Sequence, residues 1–326
     1  MHYVYCSTCP KFQEDNEIVR DISLQGGENL PRISVVLVTL NEEDNISRAI
    51  LSVKPWVDEV IVVDMMSDDR TVERASALGA SLFKHPRVGF VEPARATAVG
   101  YASGEWVLIL DADEMVSFPL SKELRKIAES DRADVCRLPR LNHILGKPML
   151  YGQHAPDQDP QVRFFKKNTL KFSDRIHSFP KPEPRTRVHT VKFRDNHAIY
   201  HFHAATASQL IDKMNRYTTT EADQMFRDGR IASVWRLLFL PPLASLRGYF
   251  FNQGWRDGWR GFYWACLMFF YQLTREAKNL QLSQCGPSSN NEVAYDREAT
   301  QVLREYADAS TSGSSWKEIK ASSAAG

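Results

Sequence analysis

The chain has 326 residues, 43% hydrophobic and 25% charged, enough to bury one large core or two moderate ones and too apolar for wholesale disorder. With 41 Lys and Arg against 40 Asp and Glu, the net charge of +1 removes any global electrostatic case for a nucleic acid polymer as partner. The five cysteines, Cys6, Cys9, Cys136, Cys266 and Cys285, are odd in number and scattered, which implies no disulfide framework and points to the cytosol.

Residues 1–30 are polar and irregular and read as an N-terminal extension; their single Cys6-x-x-Cys9 has no second pair to make a metal or redox site. The first clear element is Ile33–Thr39, β-branched and nearly continuous, hence a central parallel strand. A helix runs from Asn41–Asn45 to about Lys54, then a strand from Glu59 to Val63 that ends at Asp64. Ser67-Asp68-Asp69 opens the next helix, Ala80–Lys84 is a short strand, and Val91–Ala102 is helical. Trp106–Leu110 is the next buried strand. This alternation predicts an α/β fold with a doubly wound, mostly parallel sheet.

Polar residues leave the strands at their carboxyl ends: Thr39, Asn41 and Glu42; Asp64 and Ser67; Asp111 and Asp113. In an open α/β sheet those ends share one rim, where ligands bind. Asp111-Ala112-Asp113 offers two hard oxygen donors suited to Mg²⁺ or Mn²⁺, although the same run also reads as a polar exit that caps the next helix. Glu114 either orients that pair or caps the helix. Asp64 comes directly after a buried strand and reads as a ribose or base contact, whereas Asp44 and Asp69 read as helix caps. No G-x-G-x-x-G or G-x-x-x-x-G-K-[ST] occurs in this half, which argues against dinucleotide and P-loop sites.

Four linked stretches, ISVVLVTLNEE (33–43), VIVVDMMSDDRT (60–71), Ala94-Arg95 and SGEWVLILDADE (103–114), resemble family 2 glycosyltransferases with the GT-A fold. Gln161–Phe165, His177, Tyr200-His201-Phe202 and Lys213–Tyr217 extend the resemblance, over about residues 31–280, to the subgroup with lipopolysaccharide-core β-1,4-glucosyltransferases. The resemblance implies that Asn41, Glu42 and Asp64 contact the nucleoside of a nucleotide-sugar and that Arg95 lies beside the nucleotide. It also makes Asp111 and Asp113 the metal- and diphosphate-binding pair. The family usually has Asn where this chain has Ala96, and the subgroup commonly has His-Glu where this chain has His177-Ser178.

In the acceptor half (119–205), Pro119–Ser130 reads as a helix and Asp134–Arg140 as an edge strand. An inverting transfer needs a base for the acceptor hydroxyl, usually a carboxylate. Asp159 is the first candidate, where the subgroup often has an acid, with Asp157, Glu114 and His177 as competitors. Arg163 reads as a phosphate clamp or an ordinary ion pair. His201 and His203 alternate along Ile199–Ala204 and share a face; one imidazole lining the diphosphate or acceptor site fits better than a zinc site.

A polar helix over 206–230 ends the catalytic domain (31–230). Residues 231–283, aromatic and basic around Arg236, Arg247, Arg256 and Arg260, suit helices lying in a membrane headgroup region, or packing on the catalytic domain or a second subunit. The remainder, 284–326, reads as a disordered tail with a short helical pattern near 292–306. No run reaches the roughly 20 apolar residues of a span and no signal is visible, so the expected location is cytoplasmic, peripheral on the membrane's cytoplasmic face. The expected activity is metal-dependent inverting transfer from a nucleotide-sugar, UDP-sugar favoured, to a glycan or glycolipid hydroxyl, in lipopolysaccharide or cell-surface polysaccharide synthesis. The alternative is a non-catalytic nucleotide-sugar-binding scaffold, motivated by Ala96 and Ser178. A nucleotidyltransferase would need a Gly-rich basic loop where the chain has Leu40-Asn41-Glu42-Glu43.

Overall fold

A computed structural model describes residues 30–88, 91–158, 160–172, 180–286 and 288–311. The sheet is built on β1 (Ile33–Thr39), buried at every position as its continuous β-branched run requires. After α1 (Ile46–Val53) comes β2 (Glu59–Asp64), and after α2 (Thr71–Ala77) comes β3 (Ser81–Lys84). Then α3 (Glu92–Tyr101) leads into β4 (Trp106–Ile109). These strands lie parallel in the order β4-β1-β2-β3. Helix α1 buries Ile46, Ala49, Ile50 and Val53, an i, i+3, i+4, i+7 stripe, in one core cluster, while α3 sets Ala94 and Ala98 in the other.

The chain continues through β5 (Glu114–Val116), α4 (Phe118–Ser130), β6 (Val135–Leu138), β7 (Arg140–Ile144) and β8 (Lys147–Pro148). Next come β9 (Gln161–Lys166), the two-residue pair β10 (Leu170–Lys171) and β11 (Lys181–Pro182), then β12 (Val188–Thr190) and β13 (Ile199–Ala204). The main sheet has the order β12-β6-β9-β4-β1-β2-β3. Strand β9 is antiparallel to both β4 and β6, and Trp106 stacks on Phe164 with ring centroids 4.5 Å apart. The expected edge strand at 134–140 is corrected: β6 is interior because β9 pairs one side of it and β12 the other. A smaller sheet runs β5-β13-β7-β8, and its register sets His201 against Glu114 on one side and Asn142 on the other.

The chain divides into two compact units, one to Leu210 plus Gly248–Tyr263, the other Ile211–Arg247 plus the chain from Trp264. In the first, Asp257 accepts from the Leu150 and Tyr151 amides at 3.1 and 3.0 Å. The Arg256 guanidinium lies 4.0 Å over the Tyr151 ring. Within the second, Glu221 accepts from Tyr271 (2.5 Å) and Arg275 (3.2 Å), and Glu276 from Arg236 (3.1 Å) and Arg275 (3.0 Å). Remaining helices are α5 (Ala207–Arg227), α6 (Val234–Leu246), α7 (Trp259–Cys285) and α8 (Ser288–Thr311). The last is helical where composition reads as tail, and contains the expected 292–306 pattern. Among the described residues no helix is long and apolar enough to cross a membrane.

Gly104 lies where β1 and the start of β4 meet. Its amide donates to Ser34 Oγ at 2.8 Å, and a Cβ there would sit 2.7 Å from that oxygen and 2.8 Å from the Arg32 carbonyl. Gly104→Ala is expected to destabilise the fold by about 1–3 kcal/mol in urea unfolding. Gly100→Ala, in α3 with nothing within 4 Å of the added Cβ, should be neutral or stabilising. Equal midpoints for the two variants would contradict this reading of the junction.

Candidate active site

Adjacent parallel strands set Thr39 opposite Asp64. Thr39 Oγ1 donates to Asp64 Oδ1 at 3.1 Å, and the Ser67 hydroxyl and amide donate to the same carboxylate at 2.5 and 2.8 Å. Asn41 takes a left-handed φ of 56°, a conformation Asn tolerates. Its amide donates to Ser67 Oγ at 2.9 Å, and its Oδ1 accepts from the Asp68 amide at 2.8 Å. The Glu42 amide donates to Thr71 Oγ1 at 2.8 Å. The loops after β1 and β2 are thereby knitted into one rim. Neither expected cap residue occupies an N-cap: Arg70 stands there in α2, with Asp69 accepting from the Thr71 amide at 3.0 Å, and Asn45 stands there in α1 in place of Asp44.

Beside this rim lies a cluster of opposed charges. Asp111 receives Arg95 Nη2 on Oδ1 at 2.6 Å, and Arg163 on both oxygens, Nη1 to Oδ1 at 3.3 Å and Nη2 to Oδ2 at 2.6 Å. Arg163 Nη2 also donates to Glu114 Oε1 at 3.1 Å, which Arg140 Nη1 approaches to 3.5 Å. Glu114 Oε2 accepts from the Asp111 amide at 3.0 Å. Glu114 is fully buried, and Ser117 caps α4, so Glu114 orients the Asp111 turn instead of capping the helix. Burial alone would push the Asp111 carboxyl up, but the Arg163 and Arg95 guanidiniums outweigh it and hold Asp111 well below the usual carboxylate range. Burial likewise works against the charged Arg163, and Asp111 and Glu114 reverse it, raising its pKa.

Asp113 and His201 face each other, Oδ2 to Nε2, at 3.4 Å. The Phe202 amide, donating to the Asp113 carbonyl at 2.9 Å, fixes that approach. Asn142 Nδ2 donates to the His154 carbonyl at 3.1 Å, which turns Asn142 Oδ1 towards His201 Nδ1 at 2.7 Å. Nδ1 therefore carries a proton, and Nε2 presents either its lone pair or a proton to Asp113. Burial pushes the His154 imidazole down to about 4.

Of the candidate bases, Glu114 is buried within the charge cluster. Asp157 is exposed and its Oδ1 accepts from the Phe193 amide at 2.9 Å; Asp159 and His177 lie outside the described residues. Arg140 and Asn142 were not among the expected site residues. Their signal was a pair of polar residues two apart in β7, hence on one face. His203 stacks edge-on to His201 at 5.0 Å between ring centroids. No group of three or more His, Cys, Asp or Glu among the described residues could hold a metal ion by itself.

A twisted, mostly parallel sheet with its polar groups gathered on the carboxyl rim, next to an antiparallel insertion, is the GT-A architecture of nucleotide-diphospho-sugar transferases. The family model for Glycosyl transferase family 2 matches residues 34–181. The chain is 30% identical over 261 residues to an uncharacterized glycosyltransferase of Rickettsia felis, covering 76% of this chain and 89% of that one. It is 28% identical over 260 residues to a lipopolysaccharide core biosynthesis glycosyltransferase of Rhizobium meliloti, covering 76% and 92%. A solved glucosyl-3-phosphoglycerate synthase of Mycobacterium tuberculosis, in complex with Mn²⁺ and UDP-glucose, is 28% identical over 35% of this chain and 44% of that one. Its TM-score of 0.30 is too low to transfer anything to this chain. The protein belongs to glycosyl transferase family 2 and is a glycosyltransferase.

The charge cluster makes a stability prediction. Arg163→Met leaves two carboxylates short of a buried partner and is expected to cost about 3–5 kcal/mol near neutral pH in chemical unfolding. Asp111 titrates below its ordinary 3.8 in the folded protein, so its ionisation stabilises the fold above that value and this contribution is lost as pH falls through the depressed one. The variant should therefore show a shallower loss of stability below about pH 4. Wild-type stability of Arg163→Met at neutral pH would contradict the assignment.

Proposed function

We propose that this enzyme is a metal-dependent inverting transferase that moves a sugar from a nucleotide-diphospho-sugar, UDP-sugar favoured, to a hydroxyl of a glycan or glycolipid. The observation that carries this reading is the Asp113–His201 pair, a hard oxygen and an imidazole nitrogen facing each other at 3.4 Å beside a rim framed by guanidiniums. Two protein donors fit a divalent ion whose remaining ligands are diphosphate oxygens and water. Arg95 Nε is buried with no partner among the described residues, which favours an anion beside it. Asp113 and His201 would hold the metal, Mg²⁺ or Mn²⁺, and Asp111, both of whose oxygens accept from Arg95 and Arg163, would belong to the diphosphate-metal site by fixing the turn that presents Asp113. When bound, the ion would stabilise the charge on the departing diphosphate.

The chain's own residues do the rest. Asn41, Glu42 and Asp64 would seat the nucleoside on the rim braced by Thr39. Arg163 acts by holding Asp111 and Glu114, with Arg95 between that cluster and the diphosphate. His201 contributes to donor binding through the Nε2 whose direction Asn142 fixes. The acceptor proton would pass to a carboxylate of the 157–159 loop, Asp159 first, with Asp157 and His177 as the other candidates. Exposed Phe250, Phe251, Trp255, Trp259 and Phe262, next to Arg256 and Arg260, support docking on the headgroup region where a lipid-linked acceptor would be presented. The relative in lipopolysaccharide core biosynthesis supports a role in that or a related surface polysaccharide.

The test is incubation with a panel of UDP- and GDP-sugars and Mn²⁺ or Mg²⁺, with release of nucleoside diphosphate as the readout. Slow hydrolysis of one donor is expected, abolished by chelation and lowered about 100-fold or more in Asp113→Ala. Anionic vesicles in the same preparations should float with the wild-type protein and release it at high salt. Absence of both turnover and nucleotide binding across the panel would overturn the reading of the donor site; failure to float would remove the membrane from it.

A further inference from the structure

A cavity of about 280 Å³ lies between the 150–158 loop, Phe193 and residues 251–253, all within the first compact unit. Nothing in the donor site uses it. Its lining combines the aromatic residues Tyr151, Phe193 and Phe251 with Gln158, Asn252, Gln253 and Asp157. Asp157 Oδ1 is taken by the Phe193 amide and Gln253 Oε1 by Arg256 Nη1 at 2.9 Å. Asp157 Oδ2, Gln253 Nε2 and the side-chain amides of Gln158 and Asn252 have no partner among the described residues. Rings for the C–H faces of a pyranose, and several neutral donors and acceptors with one carboxylate for its hydroxyls, are the chemistry of an uncharged saccharide. The nearby guanidinium, Arg256, is engaged over the Tyr151 ring at 4.0 Å and bonds Gln253, so the wall is not built as an anion site.

The cavity is also tied to the reaction site by a continuous chain of contacts. Asp113 faces His201, His201 Nδ1 bonds Asn142, and Asn142 bonds the carbonyl of His154, which adjoins the cavity-lining Ala155. On the other side the Gly152 amide donates to the Asn252 carbonyl at 2.8 Å. Gly254 lets the chain close up there, since a Cβ on it would meet the Gly248 carbonyl at 2.8 Å. Phe251 belongs both to the cavity and to the exposed aromatic run, with 83% of its surface accessible.

We infer that this cavity, closed on one side by residues 251–253, is the subsite for a neutral sugar unit of the acceptor, with Phe251 at the rim on which the acceptor's lipid lies. This rests on the glycosyltransferase reading proposed above and adds the acceptor's class and the residues that select it. Asn252 and Gln158 are specificity-determining residues, reached by the acceptor and not by the donor.

The probes are octyl α- and β-glycosides of glucose, galactose and mannose, below their micelle concentrations, with saturation-transfer NMR reporting which sugar protons touch the full chain. UDP with Mn²⁺ is measured in parallel by calorimetry. At least one glycoside is expected to show contact through its ring protons, with Gln158→Ala/Asn252→Ala weakening it about tenfold or more at unchanged thermal midpoint and unchanged UDP affinity. Phe251→Ser should weaken the octyl glycoside more than the matching methyl glycoside. If UDP binds and no glycoside does, or if the double variant binds the glycoside like the wild type, the subsite is wrong while the donor site stands. If UDP does not bind, the donor reading fails and the subsite falls with it.

Discussion

The cluster beside the rim depends on one arrangement, the bidentate grip of Arg163 on Asp111 with its second hold on Glu114. Arg163 and Glu114 leave bulk water there and Asp111 does so in part, and each buried charge is tolerable only because its partners are in place. Its geometric consequence is stiffness. The turn Asp111-Ala112-Asp113 is held from the side by guanidiniums and from below by the Glu114 carboxylate, which accepts the Asp111 amide at 3.0 Å. A turn fixed in this way presents Asp113 in one direction, towards His201. The first aspartate is thus built into the scaffold and the second faces the site.

The two sheets explain how residues so distant in sequence arrive there. The main sheet delivers Asp111 from β4 and Arg163 from its antiparallel neighbour β9. The small sheet delivers Glu114, Asn142 and His201 as direct cross-strand neighbours. Because Asp111 and Glu114 lie three residues apart across the junction of those sheets, the charge cluster also fastens one sheet to the other. Loss of Arg163 would loosen both the Asp111 turn and, through Glu114, the sheet that carries His201.

The parallel half was legible because each strand is a continuous apolar run and each run ends in polar residues on the same rim. Thr39, Asn41, Asp64, Asp111 and Asp113 could be placed together on that basis alone. Arg163 was legible as a phosphate clamp or an ion pair inside Gln161–Phe165, but its partners Asp111 and Glu114 were not, since alternation gives a strand's faces and not its neighbours. The same limit hid the pairing of β5, only three residues long, with β13. Residues 248–263 read as one aromatic stretch continuous with residues 264–273. Their membership of the first unit depends on close backbone approach at Gly254 and Gly261 and on Asp257 capping distant amides, none of which has a periodic signature.

The central claim is that Asp113 and His201 hold a divalent ion together with the donor's diphosphate and not by themselves. Electron paramagnetic resonance of Mn²⁺ titrated into the protein, with and without UDP, tests it directly. Weak Mn²⁺ binding alone is expected, tightened at least about tenfold by UDP, with that gain lost in His201→Ala. Mn²⁺ affinity that is indifferent to UDP, or a gain that survives loss of both Asp113 and His201, would contradict it.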